Sequence, residues 1–155
     1  MFEGTVISIN IAAEAAASMQ SVSEVRAVPG KGLEGDRYFE HKGTFSKPQP
    51  DRELTLIEAE AVEAMKRELD VDYGLGDSRR NVVTRGVPLN HLVGKEFWIG
   101  DVKARGIQLC EPCATLQRLS HPKVLPGLLH RAGLRAQILT EGTIRVGATV
   151  SEART

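Results

Sequence analysis

The stretch RRNVVTRGVPLNHLVGKEFWIGDV, residues 79–102, is typical of short β-strands separated by turns. Its first predicted strand is NVVT (81–84), and the loop that follows contains a glycine and a proline. The next two predicted strands are KEFWI (95–99) and VKARGIQL (102–109). They flank a Gly-Asp pair, which is a signal for a two-residue β-hairpin turn. The stretch therefore predicts three short strands, two of them paired in a hairpin.

Short strands also dominate the rest of the chain. The segment GTVISINI (4–11) alternates its side chains between two faces, as a half-buried strand does. Further strands are predicted at residues 21–28, 53–57, 134–139 and 143–150. An amphipathic helix is predicted at residues 58–69, and short helices at residues 113–119 and 123–132. Many short strands with few helices predict a mainly β fold, either a β-barrel or a strongly curved sheet.

Length and composition indicate one globular domain that spans residues 1–155. Hydrophobic residues make up 41% and charged residues 26% of the chain, a mixture that excludes disordered, collagen-like and coiled-coil proteins. Two cysteines so close in sequence cannot form the disulfide framework of a secreted protein. The N-terminus lacks a basic signal-peptide region, and no apolar run approaches the roughly 20 residues that span a bilayer. We therefore expect a cytoplasmic protein without a membrane partner.

Charge is distributed unevenly along a chain whose net charge is zero. Residues 1–78 contain 8 Lys and Arg against 15 Asp and Glu, whereas residues 79–135 contain 10 basic against 3 acidic residues. The basic part could bind an anionic ligand, or the two parts could simply attract each other in the folded chain. Nucleic acid is not an expected partner, because no aromatic residues alternate with the basic ones.

The sharpest local motif is Cys110-Glu111-Pro112-Cys113, which follows a predicted strand and precedes a predicted helix. A thiol at a helix N-terminus is favoured as a thiolate, which is both a nucleophile and a metal ligand. Either cysteine could have this role. One CxxC pair supplies only half of a four-cysteine zinc site, and buried structural thiols remain an alternative.

Two other segments could bind an anion. The first lies in the Gly- and Pro-rich stretch of residues 29–50, which predicts a long loop and places Lys31 and Arg37 among glycines. The second is Arg79-Arg80-Asn81, where guanidinium groups can bind phosphate and an amide can pair with a pterin-like edge. Taken alone, each segment could equally be a turn. We expect the loop at residues 29–50 to border a pocket that contains Cys113.

Five segments in this order resemble the MOSC family, which is named after the C-terminal domain of molybdenum-cofactor sulfurases. They are GLEGDRYF (32–39), ELTLIEAEAVEAM (53–65), RRNVVTRGVPLNHLVGKEFWIGDV (79–102), CEPCATL (110–116) and GTIRVGATV (142–150). The resemblance covers most of the chain and identifies it as a small, stand-alone member. It implies a MOSC-type β-barrel with peripheral helices and a molybdopterin-type molybdenum cofactor.

The resemblance also implies roles for particular residues. Cys113 falls on the position of the cysteine that ligates the metal and takes part in catalysis, and a thiolate suits a sulfur-rich molybdenum site. Arg79 and Asn81 match an Arg-x-Asn element that faces the cofactor in relatives. Arg37 is a further predicted phosphate contact, and Lys31 is included in the same cofactor-binding set. Cys110 matches no ligand position.

Three functions follow from the resemblance. The first is a molybdenum-dependent reductase of N-hydroxylated or related N-oxygenated small molecules, with electrons from a partner protein. The second is a sulfur carrier, in which Cys113 accepts a persulfide from a sulfur donor and passes it to a metal-sulfur cofactor. The third is a cofactor-binding module without turnover. A thiol-disulfide oxidoreductase is disfavoured, because the βαβ context of its CxxC motif is missing.

Overall fold

The computed structural model describes residues 1–39 and 52–153, which contain eleven strands and three α-helices. The strands are β1 (Glu3–Ile11), β2 (Gln20–Val22), β3 (Glu24–Val28), β4 (Gly32–Leu33), β5 (Leu54–Glu58), β6 (Val82–Arg85), β7 (Glu96–Ile99), β8 (Val102–Leu109), β9 (Leu134–Ile138), β10 (Gly142–Arg145) and β11 (Thr149–Ser151). The helices are α1 (Ala59–Leu69), α2 (Ala114–Leu119) and α3 (Val124–Leu128), and a short 3-10 helix covers Leu89–Leu92.

Seven strands close into a barrel in the order β11-β7-β8-β9-β5-β6-β1, and β1 pairs again with β11. All neighbours in the barrel are antiparallel except β5 and β6, which run parallel. A parallel pair needs a long crossover connection, and α1 provides it. Strand β2 extends β1 beyond the barrel, while β10, β3 and β4 form a second small sheet. The predicted mainly β fold with a barrel and few helices is confirmed.

The barrel interior is filled by alternate residues of its strands. On β9, for example, Leu134, Ala136 and Ile138 are buried in the same cluster as Phe97 of β7, as the period-2 geometry of a strand requires. A second apolar cluster lies on the outer side of β5 and β6. There Met65 of α1 and residues of α3 pack on Ile57 and Val83. The helices are thus peripheral to the barrel.

Local sequence signals predicted several elements correctly. In two places they predicted one strand where the structure has two. The helix predicted at 58–69 is α1, and the predicted Gly-Asp hairpin connects β7 to β8 with Gly100 at φ 58°. The segment 21–28 is two strands, because β2 pairs with β1 whereas β3 pairs with β10. The segment 143–150 is likewise divided between β10 and β11, with Gly147 at φ 94° in the turn.

The helix predicted at 123–132 ends early. Leu129 at φ −56° and ψ 126° leaves the helical region, and His130 has φ 64°. The turn that follows leads through Gly133 into β9 beside the candidate site. None of the helices in residues 1–39 and 52–153 has the length and apolar character needed to cross a membrane.

Gly133 should tolerate no side chain, which can be tested with Gly133→Ala. It has φ 116°, and an added Cβ would overlap the Leu56 carbonyl oxygen on the neighbouring strand. We expect the free energy of unfolding to fall by about 3 kcal/mol or more, because backbone strain and overlap add. Gly147→Ala is the matched control, since Gly147 also has positive φ but open space around it, and should cost only about 1 kcal/mol. Urea unfolding of both variants would measure the difference, and equal losses would contradict the overlap.

Candidate functional site

One pocket brings the Cys113 thiol together with four arginines. It has a volume of about 640 Å³, which includes space open to solvent. The side chains come from the loop after β4, the two residues that precede Asn81, the segment after β8, helix α2 and strand β9. The charged and thiol-bearing residues that line it are Arg37, Arg79, Arg80, Glu111, Cys113 and Arg135. Distant parts of the sequence therefore form one basic site around a single thiol.

The two cysteines have different environments. Cys113 is exposed and occupies the N-cap of α2, where its carbonyl accepts the Gln117 amide at 2.9 Å. Cys110 is only 2% exposed, and its amide donates to the Gly133 carbonyl at 2.8 Å. Neither forms a disulfide. Only Cys113 is therefore placed to meet a ligand in the pocket.

Arg80 fixes the start of the cysteine segment. Its Nε donates to the Ala132 carbonyl at 2.8 Å, and its Nη2 donates to the Cys110 carbonyl at 3.3 Å. Glu111 adds a second attachment, since its carboxylate accepts the His130 amide at 2.7 Å and lies 2.7 Å from His130 Nδ1. The segment that leads to Cys113 is thus held against residues 130–133. The sequence indicated Arg80 only as a possible phosphate-binding guanidinium, and its contacts with Ala132 and Cys110 depend on the fold.

Arg37 and Arg79 lie next to each other on another part of the pocket. Arg37 is buried, and it donates to Asp36 Oδ1 at 3.2 Å and to the Arg79 carbonyl at 3.5 Å. Arg79 has φ 61°, and its Nη1 donates to the Ala17 carbonyl at 2.6 Å. Burial, and then the charge of Arg37, lowers the pKa of Arg79. Within the described residues the buried Nη2 of Arg79 has no hydrogen-bond partner.

Arg135 is the fourth arginine, and the sequence analysis did not single it out. It lies in β9 between buried Leu134 and Ala136, so the alternation of a strand turns it away from the barrel interior. That alternation was readable from the sequence, but the pocket on that side was not. Across residues 1–39 and 52–153, no hydrogen bond or ion pair involves the Arg135 guanidinium.

Asn81 and Lys31 do not line this pocket. The buried Asn81 amide oxygen accepts the amide and the hydroxyl of Thr55 at 3.1 and 3.0 Å, and its Nδ2 donates to the Asn10 carbonyl at 3.1 Å. Lys31 is exposed, with its Nζ 5.5 Å from the centre of the Phe39 ring. Of the five predicted site residues, the structure brings together Cys113, Arg37 and Arg79.

The loop predicted at residues 29–50 is described only as far as Phe39. In that part only β4 is regular, and Arg37 and Tyr38 line the pocket with Cys113, as expected. Residues 40–50 lie outside the described residues. No cluster of three or more His, Cys, Asp or Glu side chains suited to a metal ion occurs in the described ranges.

The family model of the MOSC domain matches residues 40–151. The chain belongs to the MOSC domain family. A comparison with curated protein sequences finds no match. The matched range contains four of the five sequence segments, all except residues 32–39, and leaves the chemistry at Cys113 to be established.

Solved structures share the MOSC fold at low sequence identity. The YuaD protein from Bacillus subtilis superposes with a TM-score of 0.77 at 16% identity, covering 97% of each chain. YiiM from Geobacillus stearothermophilus gives a TM-score of 0.75 at 15% identity, covering 97% of this chain and 75% of YiiM. YiiM from Escherichia coli gives 0.70 at 18% identity, covering 100% of this chain and 71% of YiiM. These likenesses establish the fold.

Asn81→Ala should destabilise this MOSC domain. The substitution removes partners from buried groups on two other strands, so we expect the free energy of unfolding to fall by about 2–4 kcal/mol. Arg118→Ala is the control, because Arg118 is exposed on α2, and should change stability by less than about 0.5 kcal/mol. Denaturant unfolding gives both values. If the Asn81→Ala variant is as stable as the wild type, the structural role of Asn81 is wrong and its predicted role as a ligand contact is favoured.

Proposed function

We propose that this MOSC domain binds a molybdopterin-type molybdenum cofactor at Cys113 and reduces N-hydroxylated or related N-oxygenated compounds. The observation that carries the proposal is the exposed Cys113 thiol in a pocket lined by four guanidinium groups. A thiolate is a soft ligand that suits molybdenum, and guanidinium groups bind phosphate. The family's general association with molybdenum cofactors supports this reading.

The pocket residues fit such a cofactor in charge and in hydrogen-bonding capacity. Arg79 Nη2 is buried without a partner within the described residues, and an unsatisfied buried donor costs free energy until an acceptor reaches it. The neighbouring Arg37 is already oriented by Asp36 Oδ1. A phosphate placed against this pair would satisfy the free donor and reduce the repulsion between the two cations. Arg37 and Arg79 are therefore the residues that would hold the phosphate, and Cys113 the metal.

The bound cofactor would supply two-electron redox chemistry at the metal, with electrons from a partner protein. Reduction of an N–OH group to N–H takes two electrons and two protons and releases water. Arg80 and Glu111 hold the segment that orients Cys113, while Leu116 and Leu119 line an apolar side of the pocket. The residues themselves thus position Cys113 against the pocket.

Glu111 and His130 are suited to deliver protons. Glu111 lines the pocket, and its Oε2 lies 2.7 Å from Nδ1 of His130, whose side chain is 74% exposed. A proton taken from solvent water by the imidazole can pass from Nδ1 to the carboxylate that faces the pocket. The pair therefore connects the solvent with the site.

A sulfur-carrier function is the second candidate, and the exposure of Cys113 favours it. An exposed thiol is accessible to a sulfur-donor protein and can hold a persulfide without a bound metal. Metal and pterin analysis of protein purified from a cofactor-competent host separates the candidates. Molybdenum and pterin near one equivalent, with turnover of an N-hydroxylated base by a chemical electron donor, support the reductase. Cofactor without turnover indicates a binding module, and a metal-free protein with a reactive persulfide indicates the carrier.

The two cysteines should respond differently to substitution by serine. Cys113→Ser should lose molybdenum and lower the rate by more than about 100-fold, beyond the 10–100-fold typical of residues that only support a ligand. Cys110→Ser should keep the metal and partial activity, because Cys110 is buried and does not line the pocket. Metal content and N-hydroxylated-base reduction are measured on the matched pair. If both variants keep molybdenum and are equally inactive, the assignment to a single thiolate is wrong.

A further inference from the structure

The four arginines of the pocket differ in what their guanidinium groups contact. Arg37, Arg79 and Arg80 each donate to at least one backbone carbonyl, so their positions are fixed by the fold. Arg135 makes no such contact with any described residue. Glu111, the one carboxylate among the described lining residues, is already engaged by the amide and ring of His130. The pocket therefore contains a guanidinium that the residues described by the structure leave available.

Arg135 has a fixed backbone position. Its Cα is opposite Thr55 of β5 on one side and Gln108 of β8 on the other, so it lies within the hydrogen-bonded barrel. Side chains on such strands are placed more precisely than side chains on loops. Arg135 is therefore held on a different element from Arg37 and Arg79, which precede β5 and β6.

A half-buried guanidinium that has no partner among the described residues, in the same pocket as a thiol, favours one class of ligand. Its planar fork matches the two oxygens of a carboxylate or phosphate, and electrostatic attraction is stronger in a pocket than in bulk water. Neutral ligands would leave the guanidinium without a charge partner, and cationic ligands would be repelled by the whole group of arginines. The Arg135 side chain therefore favours anionic ligands over neutral and cationic ones.

We propose that Arg135 is a specificity-determining residue that binds an anionic group, a carboxylate or phosphate, on the substrate of the site that Cys113 anchors. The proposal rests on the proposed function, in that it names the substrate class of the same site. The substrates are N-oxygenated compounds that carry such an anionic group, with the N–O bond directed toward the metal that Cys113 would hold and the anion bound to Arg135.

Alkylation of Cys113 tests the charge preference in the full-length protein without cofactor. Iodoacetate and iodoacetamide both alkylate the thiolate: a sulfur–carbon bond forms and the carbon–iodine bond breaks. Iodoacetate is an anion, whereas iodoacetamide is neutral. The ratio of their rates therefore cancels the intrinsic reactivity of the thiol. Cys113 is the exposed cysteine, and the buried Cys110 should react slowly. Mass spectrometry of the modified peptide assigns each rate to its cysteine.

Arg135→Gln should lower the iodoacetate-to-iodoacetamide rate ratio about fivefold, as expected from the loss of one partly exposed charge-assisted contact. Arg135→Lys should restore part of the ratio, because it keeps the charge but not the fork. Arg118→Gln is the matched control: Arg118 is exposed on α2 and does not line the pocket, so the ratio should not change. An unchanged ratio in Arg135→Gln, or an equal decrease in Arg118→Gln, would overturn the proposal.

Inorganic phosphate gives a second measurement that does not depend on the alkylating anion. It should slow the reaction of Cys113 with neutral iodoacetamide in the wild type and in Arg118→Gln. The protection should be clearly weaker in Arg135→Gln, where the Arg37–Arg79 pair still remains to bind phosphate in the pocket. Equal protection in all three proteins would mean that Arg135 adds nothing to anion binding, and the proposal would fail.

The cofactor-loaded protein distinguishes a substrate anion from the phosphate of the cofactor. Arg135→Gln should retain molybdenum and pterin, while the KM for a carboxylated N-hydroxylated amidine rises about tenfold and the KM for its uncharged parent stays constant. Loss of cofactor in Arg135→Gln would assign the anion to the cofactor and overturn the substrate assignment. Absence of molybdenum from the wild type would instead refute the proposed function, while the alkylation ratio would still report on Arg135.

Discussion

The hydrogen bonds of buried Asn81 hold together the part of the barrel from which the site is built. Its side chain binds Thr55 of β5 and the carbonyl of Asn10 in β1, and its carbonyl accepts the Asn10 amide at 2.7 Å. These contacts lie where the chain enters β6, next to the single parallel pair of the barrel. Arg79 and Arg80 immediately precede this point, so their direction into the pocket depends on it. Asn81 lies outside the pocket, yet its hydrogen bonds set the positions of Arg79 and Arg80, which line it.

Four guanidinium groups in one pocket repel one another, and the fold offsets this repulsion locally. Backbone carbonyl oxygens of Ala17, Arg79, Ala132 and Cys110 accept hydrogen bonds from three of the arginines. The compensation is incomplete, because one nitrogen of Arg79 is buried without a partner in the described part of the chain. Proteins keep such unsatisfied groups mainly where function needs them. The incomplete compensation is therefore the structural basis for expecting an anionic ligand.

Much of the fold could be predicted from the sequence, because strand alternation, helix periodicity and the Gly-Asp turn are local. The division of residues 143–150 into β10 and β11 could not, since it depends on pairing with β3 on one side and with β1 and β7 on the other. Within the site, motifs in the sequence pointed to Cys110 or Cys113 and to the segments of Arg37 and Arg79, and the family resemblance selected Cys113 and Arg79. Arg135 carries no motif, and only the antiparallel pairing of β8 with β9 brings it beside the segment after β8.

Asn81 was predicted from a motif as a cofactor contact, but the structure shows it buried between strands. An exposed amide and a buried amide look the same in a motif, and only the neighbouring strands decide which role it has. Here both polar atoms of its side chain are used by Thr55 and Asn10, which leaves its amide little capacity for a ligand.

Backbone contacts separate the roles of the two cysteines in the Cys110–Cys113 motif. They hold Cys110 in the interior and leave Cys113 accessible. Arg80 and Gly133 hold Cys110 through its carbonyl and its amide, and the residue is buried as a result. Cys113, three residues later, begins α2 with its side chain exposed. Thiol-disulfide exchange needs a second thiol that can reach the mixed disulfide formed by the first. A buried Cys110 whose backbone is fixed at both polar atoms is poorly placed for that step, so the geometry favours chemistry at Cys113 alone.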